Sequence, residues 1–136
     1  ITPQIVLGDF DSLGYTPTDY NTIVHPVEKD DTDMMLAVKL GLEKGYKKFR
    51  IFGGIGGRLD HTVATIQTAT FVAENGGIAY ICDDNHTVTA IKSSSIKFKD
   101  TAKGYISVFA LSGFAKGVTI KGLLSSSSTS SQPLIS

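Results

Sequence analysis

The chain has 136 residues, enough for one domain with a hydrophobic core or for two very small ones. Its 13 basic and 13 acidic residues cancel, so no net charge favours nucleic acid or a membrane surface as a partner. A single cysteine, Cys82, excludes an internal disulfide framework and predicts a reducing compartment. No apolar run is long enough to span a bilayer, so we expect a cytoplasmic protein. A start at Ile1, close to the first strand, predicts a piece of a longer chain.

The first predicted strand, Ile5–Leu7, leads directly into the acidic segment Gly8–Ser12. Residues two apart in extended backbone point the same way, so Asp9 and Asp11 can present both carboxylates to one point. Two such charges repel unless a cation lies between them, and Mg²⁺ takes one or two carboxylates while keeping positions for phosphate. An acidic turn is the simpler alternative. We favour metal binding.

A second acidic segment, Lys29–Asp33, follows the predicted strand Thr22–Val24. Either Asp31 or Thr32 can cap the helix that comes next, and Asp30 and Asp33 are spaced to lie close together at its start. A capped helix with acids favoured by the helix dipole is the simpler alternative. The helix is predicted to end at Gly45, and its apolar positions are Met34, Met35, Val38 and Leu42.

A glycine-rich segment, Gly53–His61, follows the predicted strand Phe49–Phe52. Glycines allow several backbone N–H groups to point at one ligand, and Arg58 offers a bidentate fork for phosphate at the start of a helix. The spacing matches neither a Walker loop nor the dinucleotide-binding pattern. A turn that packs helix against strand is the alternative. The apolar face of the helix is predicted at Val63, Ile66, Thr70 and Ala73, and the helix is predicted to end near Asn75.

Up to Asp84 the order of elements is strand, loop, helix, strand, loop, helix, strand, which predicts a parallel sheet with crossover helices. The two acidic segments and the glycine-rich segment each follow a strand. All three are therefore expected at the carboxyl edge of that sheet, where open α/β sheets bind ligands. The side chains expected to converge there are Asp9, Asp11, Asp30, Asp33, Arg58 and Asp60.

From Asn85 onward the pattern changes to short segments that alternate apolar and polar residues, separated by Gly and Ser. Such alternation predicts antiparallel strands with one solvated face. About fifty residues are few for an independent domain, so this region is expected to dock on the first or to be completed by a partner. The predicted strands are 87–91, 96–99, 105–109 and 118–121, and the serine tract from 125 is predicted to be a flexible end.

The three segments Gly8–Ser12, Lys29–Asp33 and Gly53–His61 together resemble the thiamine pyrophosphokinase family. Members carry Gly-Asp-Phe-Asp-Ser after a strand, Lys-Asp-x-Thr-Asp opening a helix and Gly-Gly-x-Gly-Gly-Arg-x-Asp-His opening another, in this order. The segment Gly117–Leu123 also resembles a strand of the family's second domain. Two features of the family are not matched, an earlier segment with its own glycine and aspartate and a late Ser-x-Ser-Asn segment that helps hold thiamine.

The resemblance implies an α/β fold with two domains and transfer of the ATP diphosphoryl group to thiamine, releasing AMP. Residues 1–86 would form a Rossmann-like, parallel-sheet ATP-binding catalytic domain, N-terminally truncated, and residues 87–136 an incomplete antiparallel β-sandwich that binds thiamine. The family forms homodimers with thiamine bound between subunits. Nucleic acid and membranes are not expected as partners.

The resemblance also implies residue roles. Asp9, Asp11 and Asp33 would hold Mg²⁺ and form the catalytic set, with Asp11 or Asp33 as the alternatives for accepting the alcohol proton. Asp60 would orient Arg58, and His61 is open to either a capping or a catalytic role. The residues implied to bind ATP are Lys29, Asp30, Thr32, Gly56, Gly57, Arg58, Asp60 and His61.

Two other classes remain open at this point. A strand followed by Asp9-Phe10-Asp11 also resembles Mg²⁺-dependent phosphatases of the haloacid-dehalogenase type, in which the first aspartate is the nucleophile. That pattern includes a separate lysine loop and a later acidic pair, and it does not include a glycine-rich arginine segment. The third interpretation is a nucleotide-binding regulatory domain without catalysis.

Overall fold

The computed structural model describes residues 2–8, 10, 18, 21–24, 31–111 and 113–122. The chain divides into two compact units, Ile1–Ile96 and Lys97–Ser136. No helix in these described ranges is both long and apolar enough to cross a membrane.

The first unit mixes strands and helices in the predicted order, which confirms the α/β class. Its elements are β1 (Val6–Gly8), β2 (Thr22–Val24), α1 (Asp33–Glu43), β3 (Lys48–Phe52), α2 (Leu59–Glu74), β4 (Ile78–Cys82) and β5 (Thr87–Thr89).

These strands form two sheets in the described part of the chain, not the single parallel sheet that we predicted. β1 pairs with β2 in parallel, and β3 pairs with β4 in parallel from Lys48↔Ile78 to Phe52↔Cys82. β5 is antiparallel to β4. The turn between them explains this direction, because the Asp83 carboxylate accepts two backbone N–H groups and reverses the chain within a few residues.

β5 also changes where the first unit ends. We predicted that the second domain begins at Thr87, whereas Thr87–Thr89 completes the sheet of the first unit and the structural division falls after Ile96. The Thr89 hydroxyl donates to the Ala79 carbonyl at 2.7 Å, and Val88 packs against the core. Strand β5 is thus held to the first unit by both its backbone and its side chains.

The core of the first unit lies between the two helices and one face of the β3–β4–β5 sheet. Alternation along β3 marks this face, because Ile51 is buried while Phe52 is 69% exposed. The buried apolar cluster consists of Val38, Ile51, Ala69, Val72, Ala79 and Ile81. This packing fixes α1 and α2 on the sheet and so determines where the segments that open both helices lie.

Helix α1 begins and ends where local sequence signals place it. The Thr32 hydroxyl oxygen accepts the Met35 N–H at 3.2 Å, so Thr32 is the N-cap of the two residues predicted for this role. At the other end, Gly45 has a φ of +87°, a conformation that glycine adopts without steric cost.

Helix α2 buries the predicted face only in part, because Ala73 is buried and Ile66 packs against the core as predicted, while other positions differ. Thr65, Thr68, Ala69 and Val72 are buried, whereas Val63 is 48% exposed. The buried threonines are tolerated because their hydroxyls donate to the carbonyls four residues earlier. A count of apolar residues therefore misjudged which side chains this helix can bury.

The second unit contains no strand among its described residues, 97–111 and 113–122. The strands predicted at 96–99, 105–109 and 118–121 are thus not formed, whereas the first three residues of the strand predicted at 87–91 form β5. A strand needs a hydrogen-bonding neighbour and a covered apolar face, and Tyr105, Phe109 and Phe114 are largely exposed.

Candidate functional site

The loop between β3 and α2 is built from glycines whose backbone requires glycine. We call Gly53–Gly57 the glycine loop; Gly53, Gly56 and Gly57 have φ values of +74°, +92° and +72°. The N–H groups of Gly56 and Gly57 make no hydrogen bond to any described residue. They are therefore available to a ligand oxygen at the start of α2.

Directly after this loop, at the start of α2, Arg58 and Asp60 form a bidentate ion pair. Arg58 Nε donates to Asp60 Oδ1 at 3.1 Å, and Arg58 Nη2 donates to Asp60 Oδ2 at 2.5 Å. The backbone N–H of His61 donates to the same Oδ1 at 3.0 Å. Asp60 thus orients the guanidinium and satisfies one N–H of the first helical turn, so Arg58, Asp60 and the backbone of His61 are joined at the start of α2.

This ion pair shifts the protonation of both partners. The hydrogen bond from Arg58 holds the pKa of the Asp60 carboxyl below its ordinary value of 3.8. The same contact raises the pKa of the Arg58 guanidinium further above its usual range. Both groups are therefore charged throughout the neutral pH range, and Arg58 presents a permanent cation beside the glycine loop.

Asp33 lies beside the end of the first strand. A Cβ atom placed on Gly8 would come within 3.6 Å of Asp33 Oδ2. The start of α1 and the carboxyl end of β1 are thus neighbours, which is part of the predicted convergence. Within the described residues, Asp33 has no hydrogen bond or ion pair to Arg58 or Asp60.

The structure also assigns a partner to Asp31 that sequence reasoning missed. Lys39 Nζ lies 2.5 Å from Asp31 Oδ2 and 5.7 Å from the centre of the Phe71 ring on α2. Lys39 therefore ties the start of α1 to α2 and neutralises one of the acids that open the helix. Eight residues separate the pair, so the usual three- or four-residue helical spacing does not reveal it.

Four predicted site residues lie outside the part that the structure describes: Asp9, Asp11, Lys29 and Asp30. Among the described residues, no group of three or more His, Cys, Asp or Glu side chains is placed to hold a metal ion. Among the described members of the predicted site, Arg58 and Asp60 are joined at the glycine loop and Asp33 lies beside the end of β1, with no hydrogen bond or ion pair between these two groups.

Comparisons with known proteins point to one family. Residues 1–80 match the family model described as thiamin pyrophosphokinase, catalytic domain. The chain is 34% identical over 131 residues to thiamine pyrophosphokinase of Bacillus subtilis (strain 168), covering 90% of this chain and 60% of that protein. It is 28% identical over 96 residues to thiamin pyrophosphokinase 1 of Caenorhabditis elegans, covering 65% of this chain and 40% of that protein.

Solved structures of proteins with the same name are similar. The thiamin pyrophosphokinase of Geobacillus thermodenitrificans superposes with a TM-score of 0.53 at 30% identity, covering 65% of this chain and 43% of that one. The thiamine pyrophosphokinase of Bacillus subtilis superposes with a TM-score of 0.52 at 30% identity, covering 62% of this chain and 42% of that one. The chain spans 60% and 40% of the lengths of its two curated relatives.

The phosphatase alternative finds no support in these matches. The segment matched to the family model includes Gly53–His61, which the haloacid-dehalogenase pattern lacks. Similarity along 131 residues also reaches beyond any single motif.

Proposed function

Because the chain belongs to the thiamin pyrophosphokinase family, we propose that it transfers the diphosphoryl group of ATP to thiamine, giving thiamine diphosphate and AMP. The observation that carries this proposal is the match of residues 1–80 to the catalytic-domain model. That range contains all three segments in which the proposed site residues lie. In this reaction the thiamine hydroxyl oxygen bonds to the β-phosphorus of ATP, the bond to the bridging oxygen of the α-phosphate breaks, and the hydroxyl proton passes to a base.

The glycine loop and Arg58 are proposed to bind the triphosphate. The N–H groups of Gly56 and Gly57, which have no partner in the described part of the chain, and the permanent cation of Arg58 are donors suited to phosphate oxygens. Asp60 would keep the guanidinium pointed at the phosphates, and its contact with the His61 N–H supports the helix start. Catalysis of phosphoryl transfer consists mainly of such positioning and charge neutralisation.

The acidic segments are proposed to hold Mg²⁺, with Asp9, Asp11 and Asp33 as ligands. The position of Asp33 next to Gly8, immediately before Asp9, supports this set, and carboxylate oxygens suit a hard cation. Bound Mg²⁺ supplies positive charge that offsets the phosphates. Either Asp11 or Asp33 would accept the alcohol proton.

The remaining assignments concern the segment that opens α1. Lys29, Asp30 and Thr32 are proposed to contact ATP phosphates or substrate. The Thr32 hydroxyl oxygen accepts the Met35 N–H, and its proton stays available to donate to a ligand oxygen. His61 is proposed as a further nucleotide-binding residue on the exposed start of α2.

At the level of the whole protein, we propose a Rossmann-like ATP-binding region followed by a β-sandwich, thiamine-binding region, with the boundary moved from residue 86 to the division after Ile96. A cytoplasmic homodimer is proposed as the working form. The single cysteine supports a reducing compartment, and the exposed apolar side chains of the second unit support a partner surface.

The test uses the purified full-length protein with ATP, Mg²⁺ and thiamine, followed by phosphorus NMR. AMP and thiamine diphosphate are expected together, and only when thiamine is present. Inorganic phosphate without AMP, or no turnover at all, would contradict the proposal.

A pair of variants tests whether Asp33, rather than the nearby Asp31, takes part in the reaction. Asp33→Asn is expected to lower kcat about a hundredfold or more while the far-UV circular dichroism is unchanged, because a metal ligand and a candidate base are lost. Asp31→Asn is the matched control, since Asp31 is already paired with Lys39, and it is expected to keep most of the activity. Equal activity of the two variants would remove Asp33 from the site.

A further inference from the structure

Gly54 lacks a side chain for a different reason from the other glycines of its loop. Its φ is not positive, but a Cβ atom on it would lie 2.6 Å from Thr65 Cγ2, 3.2 Å from Ile51 Cγ2 and 3.3 Å from Ile81 Cγ2. A separation under 3.0 Å is not available to a real Cβ atom. At Gly54 the backbone of the glycine loop therefore packs directly on α2 and on the sheet core.

Thr65 is the residue of α2 that meets the loop at this point. Its side chain is 6% exposed, and its hydroxyl donates to the His61 carbonyl at 2.8 Å. That hydrogen bond selects the side-chain rotamer and so fixes the direction of the methyl group, which faces Gly54. The Thr65 side chain thus contacts the glycine loop through its methyl group and the first turn of α2 through its hydroxyl.

We propose that Thr65 is a positioning residue for ATP, because its methyl group against Gly54 sets where the glycine loop lies relative to the start of α2. This inference rests on the proposed function, which assigns phosphate binding to the loop. The N–H groups of Gly56 and Gly57 are in the loop, whereas Arg58 and the first turn belong to the helix start. These donors can bind one phosphate group together only if the glycine loop stays in a fixed position relative to the start of α2. The contact between Gly54 and Thr65 holds the loop in that position.

The chain offers a matched control for this role in Thr68. Thr68 is fully buried on the same helix, and its hydroxyl donates to the Ala64 carbonyl at 3.0 Å. It lies three residues, about 4.5 Å, further along the axis from the loop. Thr65→Ser and Thr68→Ser each remove one buried methyl group and keep the hydroxyl, so both are expected to lower the thermal midpoint by a similar amount.

The readout is ATP affinity in the presence of Mg²⁺, measured by titration calorimetry on the full-length protein. Thr65→Ser is expected to weaken ATP binding about tenfold, or about 1.4 kcal/mol, because the loop N–H groups and Arg58 would no longer be held in register on the same phosphate. Thr68→Ser is expected to bind ATP like the unmodified protein. In turnover, Thr65→Ser raises KM for ATP and leaves KM for thiamine unchanged.

A second pair of variants tests the contact itself. Gly54→Ala is expected to weaken ATP binding because its Cβ would meet the Thr65 methyl group. The double variant Gly54→Ala with Thr65→Ser removes the nearest atom and is expected to recover part of the affinity lost in Gly54→Ala. Gly77→Ala is the control, because a Cβ there would crowd the Lys47 carbonyl oxygen at 2.8 Å and Val72 Cγ1 at 2.9 Å, at the far end of α2.

The outcomes separate this inference from the function on which it rests. If the unmodified protein does not bind ATP, both are overturned. If it binds ATP but Thr65→Ser and Thr68→Ser bind equally well, only the role of Thr65 is overturned. If Gly54→Ala does not fold, the comparison of the two serine variants decides alone.

Discussion

Arg58 and Asp60 lie two residues apart at the start of α2, and both side chains are largely exposed, at 74% and 61%. Exposed ion pairs add little to stability because water and salt screen them. The ion pair therefore acts mainly by orienting Arg58, since two parallel hydrogen bonds fix the plane of a guanidinium. A phosphate group that reaches Arg58 would find it already oriented, with remaining N–H groups free to donate.

The pKa of Asp60 tests whether this pair forms in solution. Because its pKa is lowered in the folded state, the pair's stabilising contribution is present above the ordinary value of 3.8 and is lost as pH falls through the lower, folded-state pKa. Arg58→Gln is expected to return the Asp60 pKa towards 3.8, as measured by carboxyl-carbon NMR titration.

Asp83 is the internal control for this titration. Its pKa is also lowered, but by the backbone N–H groups of Asn85 and His86. It is therefore expected to titrate identically in the unmodified protein and in Arg58→Gln. An Asp60 titration that does not respond to the substitution would contradict the ion pair.

At the scale of single elements, the two helices begin differently. The N-cap of α1, Thr32, has a side-chain hydrogen bond to Met35, and Asp33 places a negative charge in the first turn. The N-cap of α2 is Arg58, which makes no side-chain capping bond. Both helices carry an aspartate in the first turn, and Asp60 accepts the His61 N–H in α2. The difference lies at the N-cap, where α1 has a side-chain acceptor and α2 has the cation of Arg58.

Removing the cap of α1 gives an element-scale prediction. Thr32→Ala is expected to lower the free energy of unfolding by about 1 kcal/mol, because the Met35 N–H loses its partner. Thr32→Ser keeps the hydroxyl and is expected to retain most of that stability. Urea denaturation of the three proteins measures the difference, and a Thr32→Ala variant as stable as the unmodified protein would show that the cap is not formed.

At the scale of the whole molecule, exposed apolar side chains are concentrated in the second unit. Its exposed large apolar residues are Phe98, Tyr105, Ile106, Val108, Phe109, Leu111, Phe114, Val118 and Ile120. Surfaces of this kind mark interaction sites when they are contiguous. They are the physical support for the proposed homodimer.

The oligomeric state is therefore a prediction for the whole protein. The purified full-length protein is expected to have twice the monomer mass by light scattering. Its thermal midpoint is expected to rise with protein concentration, because association stabilises the folded form by mass action. A monomer mass with a concentration-independent midpoint would refute the dimer.

Features that depend on near neighbours were predicted from the order of the residues alone. The order of strands and helices of the first unit and the end of α1 at Gly45 depend on residues within a few positions of one another, and the same local signals narrowed the cap of α1 to Asp31 or Thr32. Local backbone preferences and side-chain spacing govern such features, so they can be derived from a short stretch of chain.

Features that join distant residues became apparent only from the packing of the folded chain. The burial of Thr65 and Thr68 on α2, the pairing of β5 with β4 and the contact of Gly54 with Thr65 were not predictable in this way. Each depends on which surfaces meet when the core closes, and a buried threonine that satisfies its own hydroxyl looks polar in sequence but packs as apolar. Periodicity indicates that a helix has a face to bury, but the packing partner selects which face it is.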